Sequence, residues 1–362
     1  MRVKINDLVP GCIISEDVYK KGTSPLIKKN TTITEKHITI LKLFFIQDVP
    51  VEAKLTDGRI FSPSEIITEA DSIHNHKESV QPSANFIINY KEAVADYKKL
   101  FVKWQGGTKI DAYGIRQLLL KIISEKPEPE ILLHLHRQST VTDYNYHHAI
   151  ARAVLSYMIG ERLDLQEKDL VQLGISALMA DCGMSKVSST ILLNKNLMKG
   201  QFKEIHDHPR YGFSMLEGVT GVSEQARLGV LQHHERENGS GYPNKIKGDR
   251  IHQFAKIIAA ADMYHAMTCE RPYQKRQPPY KVLEIIGKEC FGLLDPLVID
   301  KIKSLLINLK IGEKVRLTNG EEGVIVFLQS NEPTRPILRM LTSNELFKLS
   351  DATSLFIDSK VD

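Results

Sequence analysis

From Asn85 to about Leu309, apolar residues recur at three- and four-residue spacing almost without interruption, as in YKEAVADYKKLF, YGIRQLLLKIIS and AIARAVLSYMIGERL. That period puts one apolar stripe on an α-helix, whereas a strand, whose side chains alternate, cannot use it. More than half of the 362 residues are thereby committed to helices that must bury their stripes against one another. The expected fold class is mainly α, a helical bundle with a small module at each end.

The flanks have a different texture. Residues 1–62 begin with short β-like runs (Cys12 to Val18, then Leu26-Ile27) broken by Gly11, Gly22 and Pro25. They continue into a helix signal at ITEKHITILKLFFI and a strand at Val49 to Val51, which together make a small α+β module. Residues 63–84 are polar and weakly patterned, so a linker is expected there, with His74 and His76 as solvated side chains. The helical domain is then 85–309. After Lys310, EKVRLTNGEEGVIVFL predicts strand, Asn319-Gly320 turn, strand, and PILRM and SLFIDS supply two more short strands. Residues 310–362 are therefore expected to form a separate small β module.

Composition removes several classes of function. The net charge of +4 is mild and spread out, which argues against a nucleic-acid binder that works by neutralising phosphates. The N-terminus MRVKINDLVPG is too polar for a signal peptide, and the longest apolar run, Ile38 to Ile46, is too short to span a bilayer. Cys12, Cys182, Cys269 and Cys290 show no CxxC spacing, so neither a disulfide framework nor a thiolate zinc site is expected. The expectation is a soluble protein of the reducing cytoplasm.

The chemistry lies in the histidines. Of 13, a cluster runs from His147 to His234, with His252 and His265 shortly after. Asp181, the pair His206 and His208, the adjacent His233-His234, and Asp262 keep company there. Imidazole and carboxylate suit first-row divalent metals, and bundle helices that each contribute one or two such groups can build a dinuclear site. ISALMADCG and AKIIAAADMYHAM are almost wholly apolar around Asp181 and Asp262. A carboxylate buried in such a helix is costly unless a cation or hydrogen-bond donors neutralise it. A shared metal explains two of them better than a salt-bridged core does.

These segments carry a family resemblance. HHERENGSGYPNKIKGDRI resembles the GYP signature of the HD-GYP family of cyclic-di-GMP phosphodiesterases, and DHPRYGFSML is similar to its histidine-proline motif. IIAAADMYHAMTCERPY resembles its aspartate-containing helix, YNYHHAI the segment of its first histidine ligand, and ALMADCGM the HD motif itself. The motifs occur in the family's order over about 150 residues, which is far more specific than any one of them.

Residue by residue, the resemblance implies that His148 is the first ligand and that Asp181 is the bridging, catalytic carboxylate. His208, His233 and His234 are further ligands, and Asp262 is the closing carboxylate. One metal position would use Asp181, His208, His233 and His234. The other would use His148, the HD histidine, Asp181 and Asp262. Arg271 would meet the substrate phosphate, and Gly241-Tyr242-Pro243 would form a loop that contacts diguanylate cyclase domains. The substrate implied is cyclic-di-GMP or a related nucleotide.

The chain also departs from the family. The HD histidine is Ala180, the lysine that follows is Met184, a glutamate of some members is Tyr144, and a basic position is Gln274. His265 or His147 could take the place of the missing histidine, although an exposed, idle substitution is the favoured reading of His265. A divergent phosphodiesterase of reduced activity is expected, holding nearer one tightly bound divalent ion (iron or manganese) than two. The alternative is an inactive signalling module that binds a nucleotide or a partner.

Overall fold

Caps written into the sequence start several helices of the main body. Asp111 accepts a hydrogen bond from Gly114 N, Ser223 from Ala226 N, and Asp295 from both Leu297 N and Val298 N. In this computed structural model the residues described are 1–4, 7–18, 25–43, 48–61, 63, 66–67, 82–188, 191, 199–270, 275–290 and 292–361. The chain divides into two compact units, Met1–Gln81 and Pro82–Asp362.

In the first unit, β1 (Arg2–Lys4) pairs antiparallel with β2 (Asp48–Pro50) on one side and β3 (Ile66–Ile67) on the other. Helix α1 (Glu35–Leu43) lies between β1 and β2 in sequence. Val3, Cys12, Ile14, Ile33, Leu41, Val49 and Val51 form its own buried core. The Cys12–Val18 run is held by isolated bridges such as Ile14 to Val51 and Val18 to Ile27 rather than by a full strand. Ile66-Ile67, expected in a linker, instead adds the third strand, a pairing of two residues too short to leave a periodic signal. His74 and His76 lie outside the described residues.

The second unit runs α2 (Pro82–Gln105), α3 (Ala112–Ile123), α4 (Pro129–Leu133), α5 (Tyr144–Arg162) and α6 (Glu167–Met179). After a 3-10 turn at Cys182–Lys186 come α7 (Lys199–His206), α8 (His208–Met215), α9 (Glu224–Gln232), α10 (Gln253–Thr268), α11 (Pro279–Lys288) and α12 (Pro296–Leu306). Helices α5, α6 and α10 are buried on nearly every side, the state expected of helices apolar all round. These three carry His148, the approach to Asp181, and Asp262.

The C-terminal strands β4 (Lys314–Leu317), β5 (Glu322–Phe327), β6 (Ile337–Met340), β7 (Leu346–Lys348) and β8 (Ile357–Val361) make one antiparallel sheet in the order β7-β6-β5-β4-β8. It is not the separate module expected for 310–362. Val315, Ile325, Leu338 and Ile357 are buried in one continuous core with the helices. Arg335 forks onto Glu284 of α11 at 2.7 and 2.8 Å and also donates to the carbonyls of Ala352 and Leu355, which ties sheet to helix.

Candidate metal centre

Four elements deliver the ligand-type side chains to one place. His148 lies near the start of α5, Asp181 immediately beyond the end of α6, His208 opens α8, and His233-His234 follow α9. A Cβ added to Gly183 would lie 2.0 Å from the His208 carbonyl oxygen and 2.5 Å from Gly212 N. Only glycine therefore lets the 3-10 turn press against α8 and bring Asp181 beside His208.

Asp181 Oδ1 lies 3.2 Å from His208 Nε2 and 3.7 Å from His233 Nε2. The ligating atoms of Asp181, His208, His233 and His234 all fall within 4.8 Å of one another. His208 Nδ1 is 2.7 Å from the Ile205 carbonyl, and His233 Nδ1 is 2.7 Å from the Val230 carbonyl. A carbonyl only accepts, so both Nδ1 atoms carry the proton, and in the neutral rings both Nε2 atoms present lone pairs. Those lone pairs face each other at 3.3 Å beside a carboxylate oxygen. Backbone-anchored imidazoles that converge on one point are the arrangement of a metal site, and this donor set fits a divalent ion.

The electrostatics agree. Burial pushes the His233 imidazole down against the pull of Asp181, and burial followed by the charge of His233 holds His234 well below its ordinary value. Burial alone would raise the Asp181 carboxyl. Arg152, with His208 and His233, outweighs it and keeps Asp181 well below the usual carboxylate range. Asp181 is thereby held as the anion of the cluster, while His233 and His234 are driven toward the neutral form.

The second group, His148, Asp181 and Asp262, also lies within ligating reach, but a cation of the chain itself stands among its oxygens. Arg152 of α5, with no exposed surface, places Nη1 2.6 Å from Asp181 Oδ2 and 2.8 Å from Asp262 Oδ1, while Nε donates to Ala177 O at 2.9 Å. His148 Nε2 meets Asp262 Oδ1 at 2.8 Å. These residues do not fit a second metal while the guanidinium bonds both carboxylates.

Nothing in the histidine pattern announces Arg152. Its only trace is a single arginine inside the apolar run AIARAVLSYMIG. The other expected residues are placed as follows. His265 is buried (1% exposed) rather than exposed, and its Nδ1 faces His148 Nδ1 at 3.0 Å. His147 is buried against the ring of Tyr90. Tyr144 stacks on His148 with ring centroids 5.1 Å apart.

Gly241 is required by close approach, since a Cβ there would meet the His234 carbonyl at 2.4 Å. This folds the loop back, so that Tyr242 stacks on both His234 and His206. Pro243 O accepts from Arg210 Nη2 at 2.9 Å. Arg271 and Gln274 lie outside the described residues. The described residues around the centre line a cleft of about 200 Å³ whose walls include Tyr97, Phe101, Tyr144, Met184 and Tyr242. Among the described residues no helix is long and apolar enough to cross a membrane, and none of the four cysteines is joined in a disulfide.

A helical bundle with carboxylates and histidines converging from separate helices is the arrangement of a candidate metal-binding domain. Residues 120–298 match the HD domain family. A cyclic di-GMP phosphodiesterase of Pseudomonas aeruginosa is 28% identical over 290 residues, spanning 77% of this chain and 67% of that protein. The 3'3'-cGAMP-specific phosphodiesterase 3 of Vibrio cholerae is 29% identical over 180 residues, 49% of this chain and 39% of that protein. Among solved structures, an HDGYP protein from Bdellovibrio bacteriovorus superposes with a TM-score of 0.51 over 85% of this chain and 99% of that one, at 14% identity, a likeness of fold alone. Residues 120–298 thus match an HD domain, and the chain resembles HD-GYP proteins, with Ala180-Asp181 where that family has its histidine-aspartate pair.

Proposed function

We propose that the helical unit is a divergent cyclic-dinucleotide phosphodiesterase that holds one divalent ion on Asp181, His208, His233 and His234 and hydrolyses cyclic-di-GMP slowly. The observation that carries this reading is the pair of backbone-anchored imidazoles whose lone pairs converge beside Asp181 Oδ1. An ion there, with iron or manganese expected, would supply Lewis-acid polarisation of a phosphodiester oxygen and a bound water of lowered pKa. Asp181 would orient the donors, and the aromatic walls Tyr97, Phe101, Tyr144 and Tyr242 offer faces on which a nucleobase can stack. The relatives' names support the substrate class, and the expected compartment is the cytoplasm. Metal analysis of protein purified without added metal, joined to a cyclic-di-GMP turnover assay, tests the reading. No metal after reconstitution with iron or manganese would reject it.

A second reading has a specific observation behind it. Ala180, Met184 and the bridging Arg152 all disfavour a two-metal site, which suits a silent module that binds a nucleotide, or a diguanylate cyclase domain through Gly241-Tyr242-Pro243. Tight cyclic-di-GMP binding by calorimetry with no product formed would favour it.

A further inference from the structure

We infer that Arg152 is a resident cation that stands in place of the second metal ion, so that the centre is mononuclear by construction of its core. The inference rests on the metal-site reading above. It explains why two carboxylates can remain charged in a buried site where the histidine position 180 carries only a methyl group.

The geometry is that of a shared bridging group. Asp181 turns Oδ1 toward His208 at 3.2 Å and Oδ2 toward Arg152 at 2.6 Å. A carboxylate bridging two metals divides its oxygens in the same manner, one to each cation. Arg152 Nη1 has two hydrogens, and Asp181 Oδ2 and Asp262 Oδ1 are both within bonding distance of it. The guanidinium keeps its charge at every accessible pH, so the position cannot empty as a metal site can.

Charge counting gives the same answer. Asp181 and Asp262 bring two negative charges and Arg152 one positive, leaving one negative charge among these three side chains. One divalent ion among the histidines takes the pocket to +1, whereas a second beside the guanidinium would take it to +3. Like charge at that spacing, on oxygens already bonded, excludes the second ion. The arginine supplies charge but no coordination position, so it cannot activate a bridging water. Among the described residues its Nη2 has no hydrogen-bond partner.

The helix placement makes the exchange possible. Arg152 follows His148 by four residues, one turn along the same face of α5. Its Nε is fixed by Ala177 O, near the end of the helix whose cap is Ala180. The small side chains at 177 and 180 accompany the large one at 152.

The test uses the full chain and Mn²⁺ alone. Wild type saturated with Mn²⁺ and desalted should retain one ion per chain and show the electron paramagnetic resonance spectrum of isolated Mn²⁺. Arg152→Ala should retain two, on His148, Asp181 and Asp262 as well as the histidine set, with a spin-coupled spectrum. Arg152→Lys, which keeps a charge, should retain one. Two ions or a coupled spectrum in wild type overturns the inference while leaving the metal centre standing. A folded Arg152→Ala that still takes one ion also overturns it. Should Arg152→Ala fail to fold, the wild-type and Arg152→Lys spectra decide the matter. Wild type that binds no Mn²⁺ rejects the metal-centre reading itself.

Discussion

His265 Nδ1 lies 3.0 Å from His148 Nδ1, on the ring edge opposite the Nε2 that meets Asp262 at 2.8 Å. The Asp262 carboxylate accepts from His148 Nε2, so in the neutral ring His148 Nδ1 is the acceptor and His265 Nδ1 the donor. His265 thus stands behind a ligand-type residue and orients it. Burial, followed by the charge of His148, drives the His265 imidazole well below its ordinary value. His265→Phe is expected to keep the metal content of wild type while costing on the order of 1 kcal/mol for the lost hydrogen bond. Metal analysis beside urea melts checks this, and loss of the ion would make His265 a ligand.

The histidine set should behave oppositely. Replacing an outer-sphere group typically weakens metal binding 10–100-fold. His233→Ala, which removes an inward lone pair, should therefore weaken Mn²⁺ binding by at least about 100-fold. Competition against a chelator measures it, and an unchanged affinity would remove His233 from the site.

Restoring the family's motif is predicted to need three changes. Ala180→His with Met184→Lys should leave the metal count at one, because Arg152 still bonds both carboxylates, and a histidine at fully buried Ala180 adds crowding. Adding Arg152→Ala should admit a second ion and raise cyclic-di-GMP hydrolysis by at least about 100-fold, the low end for one preorganised electrostatic partner. A gain of that size from the double change alone would contradict the assignment of Arg152.

The domain boundary has a consequence for fragments. Residues 82–362 should fold and keep the metal content of the full chain. A fragment ending at 309 loses the strands whose Val315, Ile325, Leu338 and Ile357 complete the core. It should be insoluble or molten, as judged by circular dichroism and sedimentation. A well-folded 85–309 fragment would show that the sheet is dispensable.

Stability should fall in mild acid. Burial pushes His136 down to about 3. The unfolded chain takes up its proton below about pH 6.5, and the folded chain refuses it until pH nears 3. The contribution of this group is therefore complete above pH 6.5 and is lost progressively as pH falls from 6.5 toward 3. At pH 5 the loss is about 2 kcal/mol, from about 1.5 pH units at roughly 1.4 kcal/mol each. Urea melts at pH 7 and 5 should show a smaller drop for His136→Phe than for wild type, and equal drops would refute the assignment.

Much of the centre was legible because polar residues in apolar helices are conspicuous. Asp181 and Asp262 stand out in ISALMADCG and AKIIAAADMYHAM, and the structure brings both to one cluster. Arg152 was not legible, because a long cationic side chain within an apolar helix is ordinarily one that reaches solvent along its stem. Only the tertiary contacts show it turned inward between two carboxylates. Ile66-Ile67 and β7 were missed because two or three residues carry no measurable period. The union of sheet and bundle includes the pair Glu284 and Arg335, 51 residues apart, and no local pattern predicts such a pairing.

The bridging arginine also changes what the protein depends on. An ion between Asp181 and Asp262 would have to be captured from the surroundings after synthesis, and could be lost when the metal is scarce or oxidised. A guanidinium at that place is translated with the chain and arrives in fixed proportion to every molecule. With a divalent ion bound, one of the centre's three positive charges is in this sense inherited rather than acquired, and starvation for metal can reach only the other two.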